Sequence, residues 1–231
     1  MSTGKKKTKT IHSQASRGGA AAMLATWALA AGCSPPRSPL HLYAGIDTSE
    51  GARSHRGEYA ALIAQVSETL RPEVDRLTIY RVDRTAKEIE DGAASGDAEL
   101  TLKQIAAEAR HAATGGETRP EAFYRAVADR IEGSSGSAEE AVVLFATDGD
   151  NDDQSAASAA ALRVDAARLA RSGTVRAVIV CGVEAGNRAA LRAVLRPLGN
   201  RRLSILGPGE IRPAAVEPLI DQAPPLRKPP L

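Results

Sequence analysis

An acid, two hydroxyls and a glycine close the stretch His41 to Gly51, HLYAGIDTSEG. Asp47, Thr48 and Ser49 set a carboxylate and two hydroxyl oxygens side by side where an apolar run stops. Such a cup of hard oxygens suits a cation like magnesium, which takes oxygen ligands and keeps several waters. A second run, Ala141 to Asp148 (AVVLFATD), has the same design and ends on an acid before Gly149. If the two run ends lie side by side, their acids share one site. Each also has a plainer use: Asp and Ser are favoured helix caps, and Asp-Gly is a common strand-to-loop turn.

The elements that must position these ends follow from hydrophobic spacing. Tyr59, Leu62, Ile63, Val66 and Leu70 repeat at helical spacing and predict a helix over 57–70, closed by Pro72. Strands are expected at 77–82, 141–148, 175–183 and 203–206, with a short edge strand at 85–89 and a turn-rich break at 92–96. Further helices are expected at 100–111, 122–131, 156–171 and 188–195. A loop over 114–121 and a flexible GSSGS loop over 133–137 separate them. Strands alternating with helices at this spacing predict an α/β domain with a mostly parallel sheet. In such sheets function collects at the carboxyl ends of the strands, where the strand order reverses.

Composition narrows the function. The chain has 231 residues, enough to bury a core without disulfide staples. Aromatics make up 3%, too few for a base-stacking platform. The formal charge of +2 is carried by Lys5, Lys6, Lys7, Lys9 and Arg17, ahead of any acid, and without them the balance turns mildly acidic. No nucleic-acid partner is therefore expected. His12, His41, His55 and His111 show no ligand spacing, and no G-x-S-x-G elbow occurs. The run Asp148, Asp150, Asp152, Asp153 fails the calcium-loop template at its sixth and twelfth positions, Asp153 and Ala159. It reads as a solvated acidic rim. Gly182 to Gly186 (GVEAG) lacks the third glycine of a dinucleotide fingerprint. Cys181 lies in an apolar strand and reads as a small hydrophobe.

The motifs D-T-S-E-G at 47–51, T-G-G-E-T-R-P at 114–120 and F-A-T-D-G-D at 145–150 together resemble those of von Willebrand factor A-type domains. The resemblance spans about residues 40–210. It implies a Rossmann-like three-layer α/β fold, with a mostly parallel central sheet flanked by helices and its first and fourth strands adjacent. It also implies a metal-ion-dependent adhesion site held by Asp47, Ser49, Thr118 and Asp148. The expected cofactor is Mg2+, with Mn2+ or Ca2+ as substitutes, and the expected partner is a protein that completes the coordination with an acidic side chain. No catalysis is implied, so the protein is not expected to be an enzyme. Gly51 stands where the pattern has its second serine. A hydroxyl ligand is missing there, a water can replace it, and the expected consequence is weaker metal affinity.

Two alternatives stay open from the residues. One is a metal-free scaffold of the same fold, favoured by Gly51. The other is a magnesium-dependent hydrolase using Asp47 and Asp148, for which no general base or phosphate-cradling loop is apparent.

The amino terminus has its own design. A basic region, an uncharged run GGAAAMLATWALAAGC and small residues before Cys33 are the parts of a secretory signal. Leu29 to Cys33 resembles the lipobox of bacterial lipoproteins, with Ala30 where leucine is usual. This implies lipidation at Cys33 and anchoring to a membrane of the bacterial cell envelope, on the periplasmic or outer-membrane side. The expected organisation is a signal peptide over 1–32, a Pro/Ser linker over 33–39, the domain over 40–212 and a Pro-rich tail over 213–231.

Overall fold

Strands of a parallel sheet are covered on both faces and read as near-continuous apolar runs. Leu40–Asp47 (β1) is such a strand, with every residue buried. The computed structural model describes residues 37–110, 116–134, 139–151, 153 and 155–221. The signal segment, Cys33 and the residues from 222 on lie outside the described residues, as do His111, Gly115 and Asp152. Beside β1 run Arg76–Val82 (β2) and Glu140–Ala146 (β4), both parallel to it. Val175–Cys181 (β5) and Leu203–Ile205 (β6) continue in parallel beyond β4, while Ala86–Ala93 (β3) pairs antiparallel on β2. The six-stranded order is thus β3-β2-β1-β4-β5-β6. From β1 the chain leaves by β2 on one side and β4 on the other, so the strand order reverses between β1 and β4, as expected from the sequence.

Side-chain alternation divides the core in two. Leu40, Leu42, Ala44 and Ile46 of β1 pack with Arg56–Ser67 (α1), Ala98–Arg110 (α2) and Pro213–Asp221 (α6), through residues such as Ile63, Ile105 and Val216. Tyr43, Val143, Phe145 and Val180 face Pro120–Gly133 (α3), Ala156–Arg171 (α4) and Ala185–Val194 (α5), through Phe123, Leu162 and Leu191. Helices on both faces of the sheet make three layers. Gly45 is required at its position: a Cβ there would lie 2.8 Å from the Phe123 ring and 2.9 Å from Phe145. Its absence lets these two rings stack at 4.8 Å, close under the end of β1.

Element boundaries differ from expectation where polarity hid the pattern. β3 extends to Ala93, with Gly92 opposite Leu77, although a break was expected there. An edge strand with charged, half-exposed side chains carries no apolar run, as suits an edge that must not aggregate. The first nine residues of the expected tail form α6, with Val216 and Ile220 buried. Pro218 inside that helix costs about 3 kcal/mol. Burying Val and Ile side chains at about 1.5–3 kcal/mol each offsets it. α1 ends at Ser67 instead of Leu70, and α3 begins at Pro120, a favoured first helical residue. Among the described residues no helix is long and apolar enough to cross a membrane.

Candidate functional site

The end of β1 is stapled to β2 by Thr48, which bonds Val82 O through its amide at 2.8 Å and its hydroxyl at 3.1 Å. The chain then turns because Ser49 N donates to Asp47 Oδ1 at 2.9 Å, and Ala52 N reaches Ser49 Oγ at 3.4 Å to open a short 3-10 turn over Gly51–Ser54. Ser49 therefore does cap a turn, but not α1, whose cap residue is His55. Arg56 reaches back from α1 to donate to the carbonyls of Thr48 and Ser49, the latter at 2.6 Å. This fixes the loop from beneath.

The second loop comes to the first through Glu50 N, which donates to Gly116 O at 3.3 Å, and is held to the sheet by Arg119 N on Asp83 O at 2.9 Å. Thr118 Oγ1 then lies 3.1 Å from both Asp47 oxygens. From the end of β4, Thr147 Oγ1 donates to Asp47 Oδ2 at 2.8 Å and accepts from Gly149 N at 3.1 Å. Asp148 follows, its Oδ1 accepting from Asp150 N at 2.9 Å. Its Oδ2 faces Gly51, 3.1 Å from where a Cβ on that residue would stand. Ser49 Oγ is 4.0 Å from the same point. All four residues expected from the sequence, Asp47, Ser49, Thr118 and Asp148, thus come together at the reversal point.

Asp47, Thr48, Ser49, Thr118 and Thr147 are 0–1% exposed and Asp148 is 9% exposed. Burial holds the Asp47 carboxyl above its ordinary range; bonds from Ser49 and Thr147 counter that shift, and the charge of Asp148 adds to it. Beneath them, Tyr59 of α1 is fully buried, and its hydroxyl has no hydrogen-bond partner among the described residues. That hydroxyl rests against Gly182, whose φ of +91° and missing side chain make room for it. Burial raises the Tyr59 phenol above its ordinary range, and the charges of Asp148 and then Asp47 raise it further.

The donor set fits a hard divalent cation. It consists of oxygens alone, two of them carboxylates, with an orphaned buried hydroxyl close by, as suits Mg2+, Mn2+ or Ca2+. Among the described residues no group of three or more His, Cys, Asp or Glu could hold a metal, so hydroxyls and waters have to complete any coordination here. Thr147, Arg56 and Tyr59 are contributors the spacing did not single out. Thr147 carried a readable signal, since it follows Phe145 at the strand period and directly precedes the acid. Nothing marked Tyr59 apart from its helical core spacing. Cys181 is fully buried and its thiol is pushed up to about 12, which suits the inert role expected of it. Asp150 is exposed, and Asp153 accepts from Ser155 N at the start of α4.

No protein-family model matches the sequence, and no curated protein matches it. Solved structures do. The manganese-loaded TRAP protein of Plasmodium vivax superposes with a TM-score of 0.59 at 19% identity, over 79% of this chain and 74% of its own. Proximal thread matrix protein 1 from the mussel byssus gives 0.55 at 13% identity, over 80% of this chain and 48% of its own, so the chain spans about half the length of that protein. A von Willebrand factor type A protein from Catenulispora acidiphila gives 0.53 at 19% identity, over 80% of this chain and 42% of its own. Identities this low speak for the fold alone. The fold is the von Willebrand factor A-type fold, in three layers and with β1 and β4 adjacent, as the resemblance implied.

Proposed function

We propose that this domain is a binding module that recognises an acidic side chain of a protein partner through a divalent cation held by Asp47, Ser49, Thr118 and Asp148. The observation that carries this is the meeting of three loops around Asp47, with Thr118 and Thr147 on its oxygens and Asp148 beside Gly51. Bound there, the cation supplies an incompletely neutralised positive centre that attracts an anion. Thr147 and Thr118 orient the Asp47 carboxylate, and Arg56 holds the carbonyls of the first loop so that Ser49 keeps its place. Manganese in the TRAP structure and zinc in the MIDAS motif of the mussel protein support a divalent ion in this fold. A pilus adhesin of Lactobacillus rhamnosus with the same fold supports a role in adhesion. Binding without turnover is the function proposed, as the family resemblance implies.

The lipobox-like Leu29 to Cys33 supports export and lipid anchoring in a bacterial envelope. An aerotolerance-related membrane protein from Bacteroides fragilis among the fold relatives agrees with that location. Mass spectrometry of the mature amino terminus tests it: an acylated Cys33 is expected, and an intact leader refutes it. For the binding function, capture of protein partners by the full chain in magnesium is expected to vanish in excess chelator and in Asp47→Ala. Capture that survives both favours a metal-free scaffold instead, a reading that draws on Gly51 and on the hydroxyls already engaging both Asp47 oxygens.

A further inference from the structure

Next to the cation centre, and sharing Thr147 with it, lies a cavity of about 360 Å3 at the carboxyl end of β4, between α4 and α5. Its size falls within the range of roughly 300–1,000 Å3 typical of ligand pockets. Phe145, Leu162, Leu191 and Val194 give it apolar walls, and Asp150 and Asp153 give it an acidic mouth. The two acids are not equivalent. Asp153 is engaged, accepting from Ser155 N at 3.1 Å and lying 3.9 Å from Arg119 Nη2. Asp150 is exposed and has no ion pair among the described residues, and its amide bond to Asp148 Oδ1 ties the mouth to the centre.

We infer that this cavity binds a lysine side chain of a protein partner, its aliphatic stem against the apolar walls and its ammonium at Asp150. Long basic side chains bury their stems on apolar surface while the charged head stays at the polar edge, which is the arrangement of wall and mouth here. The four-carbon stem of lysine offers the apolar walls more length than the three-carbon stem of arginine, and Asp150, the mouth carboxylate without an ion pair among the described residues, accepts its ammonium. The amino end of α4 would favour an anion, but Ser155 already caps it through Ser158 N and Asp153 adds a negative charge to it. α5 lines the cavity with its side, through Asn187, Ala190, Leu191 and Val194. The inference goes beyond the cation reading and does not need the metal: Asp150 and the apolar walls are in place without it. Together the two sites select a partner segment that carries an acid with a lysine near it.

The test uses the full chain in excess chelator, titrated with N-acetyl-lysine amide and with its uncharged counterpart N-acetyl-norleucine amide. Binding is followed by the methyl resonances of Leu162, Leu191 and Val194. Saturable shifts are expected with lysine, weaker by up to about fivefold with norleucine, the upper size of one exposed charge contact. Asp150→Asn is expected to remove that preference, and Ala159→Leu, which fills the cavity, to remove the shifts. Equal binding of the two amides, an unchanged preference in Asp150→Asn, or no shift of these methyls overturns the inference. Because chelator is present throughout, none of these outcomes bears on the cation reading, which a separate magnesium titration decides.

Discussion

Replacing Asp47 by asparagine separates a cation centre from a simple hydrogen-bond hub, because the two roles predict different signs. Asp47 is fully buried and accepts from Ser49 N, Thr118 Oγ1 and Thr147 Oγ1. Burial and the nearby Asp148 both disfavour its charge. In Asp47→Asn the neutral amide cannot repel Asp148, still accepts at Oδ1, and offers amide hydrogens that the threonine hydroxyls can rotate to accept. Hydrogen bonds to a charged group are worth about 1.5–3 kcal/mol. Removing a buried charge returns several kcal/mol of desolvation. If each of the three bonds weakens from about 2 to about 1 kcal/mol, a desolvation return of about 4 kcal/mol leaves a gain of about 1 kcal/mol in chelator. For a chain of this length that raises Tm by about 2–4 °C. With free magnesium at about 100 times its Kd, the native chain gains about 2.7 kcal/mol, and the variant gains little. By the same scaling the native Tm rises about 5–11 °C. The melting curves of the two full chains therefore exchange order between chelator and magnesium. A variant that melts lower in chelator, together with a native chain indifferent to magnesium and manganese, refutes the cation reading and leaves Asp47 as a tie between loops.

Three further outcomes are expected. Gly51→Ser restores a hydroxyl beside Asp148 Oδ2, which must yield a few tenths of an ångström to a Cβ 3.1 Å away; magnesium affinity by calorimetry rises roughly tenfold, about 1.4 kcal/mol, and an unchanged affinity shows that a water already serves there. Tyr59→Phe removes a buried hydroxyl that has no hydrogen-bond partner among the described residues, so stability in chelator shifts by less than about 1 kcal/mol, while magnesium binding is expected to weaken if the hydroxyl takes part in the centre; equal affinity in the two chains refutes that part. His41 sits at the opposite end of β1, its Nε2 2.7 Å from Thr78 Oγ1, and burial with the charge of Arg76 lowers its pKa from 6.5 to about 4. The folded state thus takes up a proton less readily than the unfolded one, so stability is intact above pH 6.5 and falls on acidification toward pH 4, by about 3 kcal/mol in all. Urea denaturation should show that this share of the acid loss disappears in His41→Gln.

The fold was legible wherever apolar periodicity and two-sided burial coincide. β1, β4 and β5 read as buried runs, and the expected helix over 156–171 matches α4 at both ends because Ser155 caps it and Ser172 stops it. Legibility failed where partners far along the chain decide the structure. β3 is charged and is a strand only because β2 lends it a backbone ladder. α6 contains Pro218 and is held by Val216 and Ile220 against a core formed by the other elements. The same division runs through the site. Asp47, Ser49, Thr118 and Asp148 were readable because the motifs at 47–51, 114–120 and 145–150 together resemble those of von Willebrand factor A-type domains, whereas each residue alone also suited a cap or a turn. Tyr59 was hidden because a core tyrosine and a tyrosine under a cation centre have the same helical spacing, and only Gly182, distant in sequence, distinguishes them by making room for the hydroxyl.

Gly51 looks from the sequence like a plain loss of one ligand, but the geometry links it to Asp148. The room left by the absent side chain is the room that Asp148 Oδ2 faces, 3.1 Å from the missing Cβ. A serine at that place would press on the carboxylate, which would have to yield by a few tenths of an ångström. Burial raises the Asp47 carboxyl, and the charge of Asp148 adds to that shift, as two acids at one site disfavour each other's charge. The hydroxyls of Thr118 and Thr147 and the amide of Ser49 offset that repulsion only in part, because neutral donors spread over four oxygens do not cancel two charges. A divalent cation does cancel them. Affinity at this centre should therefore depend more steeply on the charge of Asp148 than on any single hydroxyl around it.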